Sequence, residues 1–206
     1  MDRNRKMSEA SYGRAMWAAM ALLFVFVPGS LAAAAPERIG HAHTLIVLPE
    51  NPTLFMGTHK GLLMSHDKGQ TWVPVPLPRK FQGTDVMSLV ADPGDTRRLY
   101  AGTHDWGVLR SRDGGKTWED VNVGLGGRDV HALTIDPNQP KTLHAWVVGK
   151  GLYRTRNGGA TWARVDDGPE NPEVKALASV NTPTGMGGIY LYAGTATGLY
   201  WNPDCF

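Results

Sequence analysis

One eight-residue phrase occurs three times along this chain of 206 residues, each time at a similar interval. It reads SHDKGQTW from Ser65, SRDGGKTW from Ser111 and TRNGGATW from Thr155, with starts 46 and then 44 residues apart. A repeat of this length that consists of short β-rich runs is typical of folds in which each repeat forms one small sheet. This spacing therefore constrains the architecture more strongly than any other feature of the sequence.

Each repeat contains four short segments with strand character, named strands A to D in chain order and from the inside outward. Strand A is an apolar run, found at 45–48, 86–91, 130–135 and 174–180. Strand B follows a turn rich in Pro, Asp or Asn and is found at 54–58, 99–103, 143–147 and 191–195. Strand C starts at Gly61, Gly107, Gly151 and Gly198, and strand D starts at the Thr-Trp that ends the phrase.

Four strands joined by tight turns in each repeat predict an antiparallel blade. The predicted fold is all-β, a β-propeller of four-stranded blades, with three complete blades and a fourth that lacks its outer strand. No run after residue 36 has helical periodicity, so almost no helix is expected there.

The Ser-x-Asp-x-Gly-x-Thr-Trp phrase resembles the Asp-box, or BNR repeat, of sialidase-like and sortilin-like propellers. It also resembles the repeats of photosystem II assembly-factor-like proteins and of exported bacterial proteins classed as glycosyl hydrolases. The resemblance covers about residues 41–206 and implies the fold, whereas these families have unrelated functions. The Asp is expected to bind N–H groups of its own turn, and the Trp to wedge between blades. The structural residues are Ser65, Asp67, Gly69, Trp72, Ser111, Asp113, Gly115, Trp118, Thr155, Asn157, Gly159 and Trp162.

Residues 1–35 have the pattern of a signal peptide, because basic residues precede an apolar run from Ala15 to Val27. Ala32 to Ala34 offer small residues for cleavage, and an uncleaved signal would be the expected membrane attachment. Cys205 is the only cysteine, which excludes an intrachain disulfide, and we expect an exported, periplasmic or secreted bacterial protein. The predicted propeller domain is 36–206, with repeats at about 41–75, 85–122, 129–166 and 173–206.

The fourth repeat stops before its Gly, its Thr-Trp and its outer strand. Three explanations remain open: a truncated chain or open arc, a strand supplied by Pro36 to Gly40, or completion of the ring by a second chain. An unpaired blade edge favours association between copies, and an exposed Cys205 would add an intermolecular bridge.

Polar residues gather where strand A begins and strand B ends, which is one face of every blade. Aligned on the repeat, one position at the entry to strand A is His41, Asp85, Asp129 or Glu173, and two residues later come His43, Met87, His131 and Lys175. His59 and His104 lie in the loops after strand B. Imidazole and thioether ligands suit copper or zinc, so His41, His43, His59, His104, His131 and Met87 form a candidate metal site. The alternative is a set of polar residues on a solvated rim.

Two classes of function follow from this face. The first expectation is a non-catalytic binding or scaffold propeller for a protein or glycan, in which Trp106, Asp85, Asp129 and Glu173 contact the ligand. The alternative is a glycoside hydrolase, implied by the resemblance, in which Asp85 and Asp129 flank the scissile bond. A transition-metal-binding envelope protein is a further alternative. The net charge of +2, with both signs interspersed, gives no nucleic-acid footprint.

Overall fold

The computed structural model describes residues 40–49, 52–165, 173–181 and 188–204. These ranges contain strands and one three-residue 3-10 helix, Arg79–Phe81, which confirms the predicted scarcity of helix. The strands are β1 (Ala42–Val47), β2 (Leu54–Thr58), β3 (Gly61–Ser65), β4 (Val73–Pro74), β5 (Val86–Asp92), β6 (Asp95–Thr103), β7 (Gly107–Ser111), β8 (Glu119–Asp120), β9 (Val130–Ile135), β10 (Leu143–Val147), β11 (Gly151–Thr155), β12 (Ala163–Val165), β13 (Val174–Asn181), β14 (Ile189–Thr195) and β15 (Gly198–Asp204).

Parts of the sequence-based predictions fall outside the described residues. These parts are the signal peptide at 1–35, Cys205, and most of the segment that was a candidate for the missing strand. Over the part of the chain that the structure describes, no helical segment has the length and apolar character that a membrane crossing needs.

The strands form four separate antiparallel sheets in which spatial order follows chain order. Blade 1 is β1 to β4, blade 2 is β5 to β8, and blade 3 is β9 to β12. Blade 4 consists of β13, β14 and β15 in its described part. The predicted fold class is confirmed, including three complete blades and a fourth with three strands.

The first strand of every blade carries a bulge at the same place. Ala42 pairs with Thr58 and Thr44 pairs with Gly57, which leaves His43 as an extra residue in the ladder. The same irregularity occurs between Val86 and Ser88 in blade 2, and it recurs at the start of the first strand of blades 3 and 4. A bulge re-aims the side chain of the extra residue. The extra residues are His43, Met87, His131 and Lys175.

The apolar cores lie between neighbouring blades. One core joins Leu48, Phe55 and Leu62 of blade 1 to residues of blade 2 that include Trp118, which is 5% exposed. A second core joins blades 2 and 3 around Trp162, also 5% exposed, whose Nε1 donates to the Val121 carbonyl at 2.7 Å. The Trp of each of these blades therefore packs against the preceding blade, as the sequence predicts.

Each Asp-box closes its own turn through side-chain hydrogen bonds. The Asp67 carboxylate accepts the Thr71 backbone N–H at 2.8 Å and the Thr71 hydroxyl at 2.5 Å. Asp113 accepts the same two bonds from Thr117, at 2.9 and 2.6 Å. These bonds, those of the Thr hydroxyls first, lower the pKa of each Asp carboxyl to about 2.

The third Asp-box keeps this geometry with a neutral side chain. Asn157 Oδ1 accepts the Thr161 backbone N–H at 2.9 Å, and Asn157 Nδ2 donates to the Thr161 hydroxyl at 2.8 Å. The direction of the side-chain bond is reversed, because an amide nitrogen donates where a carboxylate accepts.

The outer strands begin two residues later than the sequence predicts. β4, β8 and β12 start directly after the Trp of each phrase and contain two or three residues. The prediction that strand D includes Thr-Trp was wrong because the Thr belongs to the turn, where it binds the Asp or Asn. Of the three Trp side chains, those of Trp118 and Trp162 are buried in the cores between blades.

The junction between blades 3 and 4 differs from the two cores. A cleft of about 420 Å³ lies there, lined by His144, Leu152 and Val165 of blade 3 and by Val174 and Leu177 of blade 4, among others. Aligned on the repeat, these positions match core residues that surround Trp162 at the preceding junction. The described part of blade 4 supplies no counterpart of that Trp.

Candidate functional site

The first strands of all four blades line one central cavity. It has a volume of about 440 Å³, and its walls include His43, Met87, His131 and Lys175, the extra residues of the four bulges. The starts of these strands pair with the ends of the second strands, as in Ala42 with Thr58. The predicted common face is therefore present. We call it the axial face: the bulges, the residues before them and the loops after β2, β6 and β10.

Cluster 1 comprises His43, His59 and Asp85 and bridges blades 1 and 2. His43 Nε2 lies 3.2 Å from His59 Nδ1, and the same Nδ1 lies 2.9 Å from Asp85 Oδ2. The His41 ring stacks on that of His43 with centroids 4.9 Å apart. Three of the predicted metal ligands and one predicted catalytic carboxylate thus meet at one place.

Cluster 2 comprises His104, Asp129 and His131 and bridges blades 2 and 3. His131 Nε2 lies 2.9 Å from Asp129 Oδ1, and His104 Nε2 lies 3.9 Å from Asp129 Oδ2. His104 also places its Nδ1 3.4 Å from the exposed carboxylate of Asp105. The Asp129 side chain is about one-third exposed, and its partner His131 lines the cavity.

The two clusters follow one construction. In each, a histidine from the loop after the second strand of one blade faces the Asp before the first strand of the next blade. His59 faces Asp85, and His104 faces Asp129. At the third junction the corresponding acid is Glu173, which pairs with Lys175. The hydrogen bond and charge of Lys175 lower the pKa of the Glu173 carboxyl, which holds it ionised.

Histidines crowd one another at cluster 1. Burial lowers the pKa of His43, and the neighbouring His59 and His41 add to this shift, while Asp85 opposes it. The neutral imidazole, with one nitrogen lone pair free to accept, is therefore favoured at His43 near neutral pH.

Trp106 also lies on the axial face, in the loop after β6, two residues after His104 of cluster 2. Its indole is 36% exposed and packs edge-on against Phe81, with ring centroids 5.3 Å apart. Asn122 Nδ2 donates to the Trp106 carbonyl at 2.9 Å, and Asn122 Oδ1 accepts the Val108 backbone N–H at 2.7 Å.

Asn122 and Phe81 support the Trp106 loop and were missed in the sequence. Phe81 lies between two repeats, where no other copy provides an aligned position to compare, and Asn122 is the last residue of the second repeat. The buried Asn122 follows an outer strand of two residues, a context that resembles an ordinary turn.

The axial face therefore combines carboxylates, imidazoles and one indole around a cavity of a size that admits small ligands. A carboxylate pair on such a rim can serve acid–base chemistry, and a His-His-Asp set can bind a metal ion. The structure brings together His41, His43, His59 and Asp85 at one junction and His104, Asp129 and His131 at the next. Glu173 stays apart from both, and Met87 lines the cavity between them.

Comparison with known proteins adds sequence relatives to this geometry. The BNR/Asp-box repeat family matches residues 109–120. A xyloglucanase of Paenibacillus is 36% identical over an 87-residue alignment that covers 35% of this chain and 8% of the enzyme. An oligoxyloglucan-reducing end-specific xyloglucanase of Emericella nidulans is 29% identical, over 42% of this chain and 10% of the enzyme. The chain thus spans a tenth or less of the length of these relatives.

A solved structure supports the architecture. The GH74 enzyme of Niastella koreensis superposes with a TM-score of 0.65 at 20% identity, covering 82% of this chain and 29% of that protein. At this identity the likeness concerns the fold alone.

The expectation of a non-catalytic binding or scaffold propeller was wrong, because both curated relatives are named as xyloglucanases. The glycoside hydrolase alternative accounts better for the similarity. The repeated phrase, the blades that it closes and the matched Asp-box together identify the chain as a BNR/Asp-box repeat β-propeller protein.

Proposed function

We propose that this chain is the propeller part of a glycoside hydrolase that acts on xyloglucan or a related glucan. The observation that carries the proposal is the 36% identity to a Paenibacillus xyloglucanase, which extends well beyond one Asp-box phrase. The alignment covers 8% of that enzyme, and the proposal assigns hydrolysis to this portion of it. The axial face is where this portion meets the substrate.

Asp85 and Asp129 are the carboxylates that we assign to the reaction. Hydrolysis of a glycosidic bond needs one carboxyl group to protonate the leaving oxygen and another to activate water or attack the sugar. Both residues occupy the same position in adjacent blades, each in a cluster with a histidine that lines the central cavity, and both are about one-third exposed. Glu173 is unsuited to the acid role, because Lys175 lowers the pKa of its carboxyl.

Trp106 is the residue that we assign to sugar contact. Ligand sites combine a few placed polar groups with aromatic surface, and an exposed indole offers a flat apolar face to the C–H groups of a sugar ring. Asn122 and Arg128 hold the Trp106 carbonyl, at 2.9 and 3.4 Å, so the loop that presents the ring is fixed.

Export fits this function, since a polysaccharide substrate lies outside the cell. The basic residues, apolar run and small residues of 1–35 support a signal peptide. We infer a periplasmic or secreted location on this pattern.

The test is release of reducing ends from xyloglucan by the full chain. We expect release by the wild type and a fall of about 10²–10⁴-fold in the Asp85→Asn and Asp129→Asn variants. Asp105→Asn is the matched control, because Asp105 is an exposed carboxylate on the same face, and it should retain wild-type activity. Absence of release by a folded wild type, or equal loss in all three variants, would overturn the proposal.

A further inference from the structure

We propose that clusters 1 and 2 each bind one divalent transition-metal ion, Zn²⁺ or Cu²⁺, through two imidazoles and one carboxylate. The proposal goes beyond glycoside hydrolysis and does not depend on it. Because it uses the same two carboxylates, Asp85 and Asp129, ion binding and hydrolysis exclude each other at each cluster. It makes the axial face a two-metal surface, with the ions at adjacent junctions between blades.

The donor set is the first argument. Two histidines and one carboxylate are a familiar combination for zinc that keeps a fourth position open for water or another ligand. Imidazole ligands also suit copper. Cluster 1 supplies His43, His59 and Asp85. Cluster 2 supplies His104, Asp129 and His131.

Distances between the donor atoms are the second argument. Two ligands that each lie about 2.0–2.1 Å from a tetrahedral zinc ion are roughly 3.3 Å from each other. In cluster 1, His43 Nε2 lies 3.2 Å from His59 Nδ1, and His59 Nδ1 lies 2.9 Å from Asp85 Oδ2. Within each cluster all three donor atoms lie within 4.8 Å of one another. Small side-chain rotations suffice to bring each set around one ion.

Cluster 2 adds an observation about the relative orientation of two of its ligand atoms. His131 Nε2 and Asp129 Oδ1 are buried atoms 2.9 Å apart, yet neither makes a hydrogen bond of acceptable geometry. Buried polar atoms are rarely left without a partner. Two ligand atoms that lie close together but do not bond to each other have the arrangement expected of atoms that bind the same metal ion.

The backbone holds the ligands in place before any ion arrives. His43 and His131 are the extra residues of β-bulges, which aim them into the cavity. The residue that follows each Asp in the sequence is a buried valine. Val86, after Asp85, is 1% exposed, and Val130, after Asp129, is 0% exposed. Packing between blades therefore fixes the backbone positions of the bulge histidine and of the Asp in each cluster.

The construction also predicts the number of ions. At the junction of blades 3 and 4 the acid is Glu173, and Lys175 occupies the bulge in place of a histidine. Lys175 pairs with that acid, so this junction has no equivalent ligand set among the described residues. The chain should bind two ions.

Calorimetric titration of the untagged full chain with ZnCl₂, and separately with CuCl₂, tests the proposal. We expect two ions per chain, one after His59→Ala, one after His104→Ala, and none in the double variant. Both substitutions are at half-exposed loop residues, so folding should be unaffected. His66→Ala, which alters an Asp-box histidine bound to Thr53, is the matched control and should still bind two ions.

Either of two results would overturn the proposal: no binding of either metal by the wild type, or a stoichiometry that the double variant leaves unchanged. The readout is heat and stoichiometry, and it uses His59 and His104 rather than the two Asp residues. Failure of metal binding is thus separable from failure of hydrolysis.

Discussion

The Asp-box turns and the axial face belong to the same repeats, but they differ in how much their side chains vary from blade to blade. On the Asp-box side, the same hydrogen bonds recur with nearly the same residues, as in the bonds of Asp67 and Asp113 to the Thr that follows each. On the axial face, the backbone bulge recurs while its side chain changes from His43 to Met87, His131 and Lys175. Uniform positions close the blades, and on the axial face a uniform backbone presents a different side chain in each blade.

On our proposal, this difference separates the residues that stabilise the fold from those that function. Trp118 and Trp162 fill the junctions between blades, and the turns hold them there. The histidines and carboxylates of the two clusters, such as His59, Asp85, Asp129 and His131, are between one-quarter and one-half exposed and contribute little apolar burial. Substitutions in the Asp-box turns and blade junctions should therefore mainly lower the free energy of unfolding, whereas substitutions on the axial face should mainly change binding.

The largest effect is expected from Trp162→Ala. Loss of a fully packed aromatic side chain costs about 3–5 kcal/mol, since it removes apolar burial and leaves a cavity. The variant would give the junction of blades 2 and 3 an opening like the 420 Å³ cleft between blades 3 and 4. Urea unfolding should show this loss in the free energy of unfolding, while metal stoichiometry stays at two in the fraction that remains folded.

Trp106→Ala is the matched control on the axial face. Its indole is 36% exposed and touches Phe81 at one edge, so truncation should cost less than half as much free energy of unfolding. Equal costs at Trp106 and Trp162 would contradict the separation of the two faces.

A smaller effect on stability is expected at low pH. The pKa values of Asp67 and Asp113 are lowered from 3.8 to about 2 in the folded chain. Their contribution to stability is therefore complete above about pH 4 and is lost as the pH falls through about 2. The Asp67→Asn, Asp113→Asn double variant should lose stability less steeply than the wild type over this window, measured as the urea midpoint against pH.

Asn157→Asp provides the reverse test in blade 3. It installs a carboxylate where Thr161 already offers its backbone N–H, at 2.9 Å from the side-chain oxygen. This variant should lose stability more steeply in acid than the wild type. Identical pH profiles for all variants would mean that the Asp-box carboxylates are not coupled to folding.

Most of the fold was accessible from the sequence because the repeat aligns the strands with one another. Glycine at the start of strand C and Pro or Asp in the turns mark the boundaries in every copy. The start of strand D was misplaced, since Thr71 and Thr117 look like strand formers while their hydroxyls bind the turn. A local side-chain bond overrides β propensity there.

The candidate site was accessible only in part. The common face of His43, His59 and Asp85 follows from antiparallel pairing, and the structure places these residues together. The bulge that aims His43 was not predictable, because nothing in the sequence marks an extra residue in an alternating strand. The contacts also cross between blades, and the sequence carries no measure of inter-blade distance. Function was misjudged because the Asp-box motif itself occurs in binders and enzymes alike.

The most direct measurement of the central claim is amide hydrogen exchange of the full chain with and without a xyloglucan oligosaccharide. If the axial face is the functional face, the ligand should slow exchange in the loops at 59–60 and 104–106 and at the bulges of β1, β5 and β9. The phrases at 65–72, 111–118 and 155–162 should exchange at the same rate in both samples. Protection confined to those phrases, with unchanged exchange on the axial face, would contradict the account.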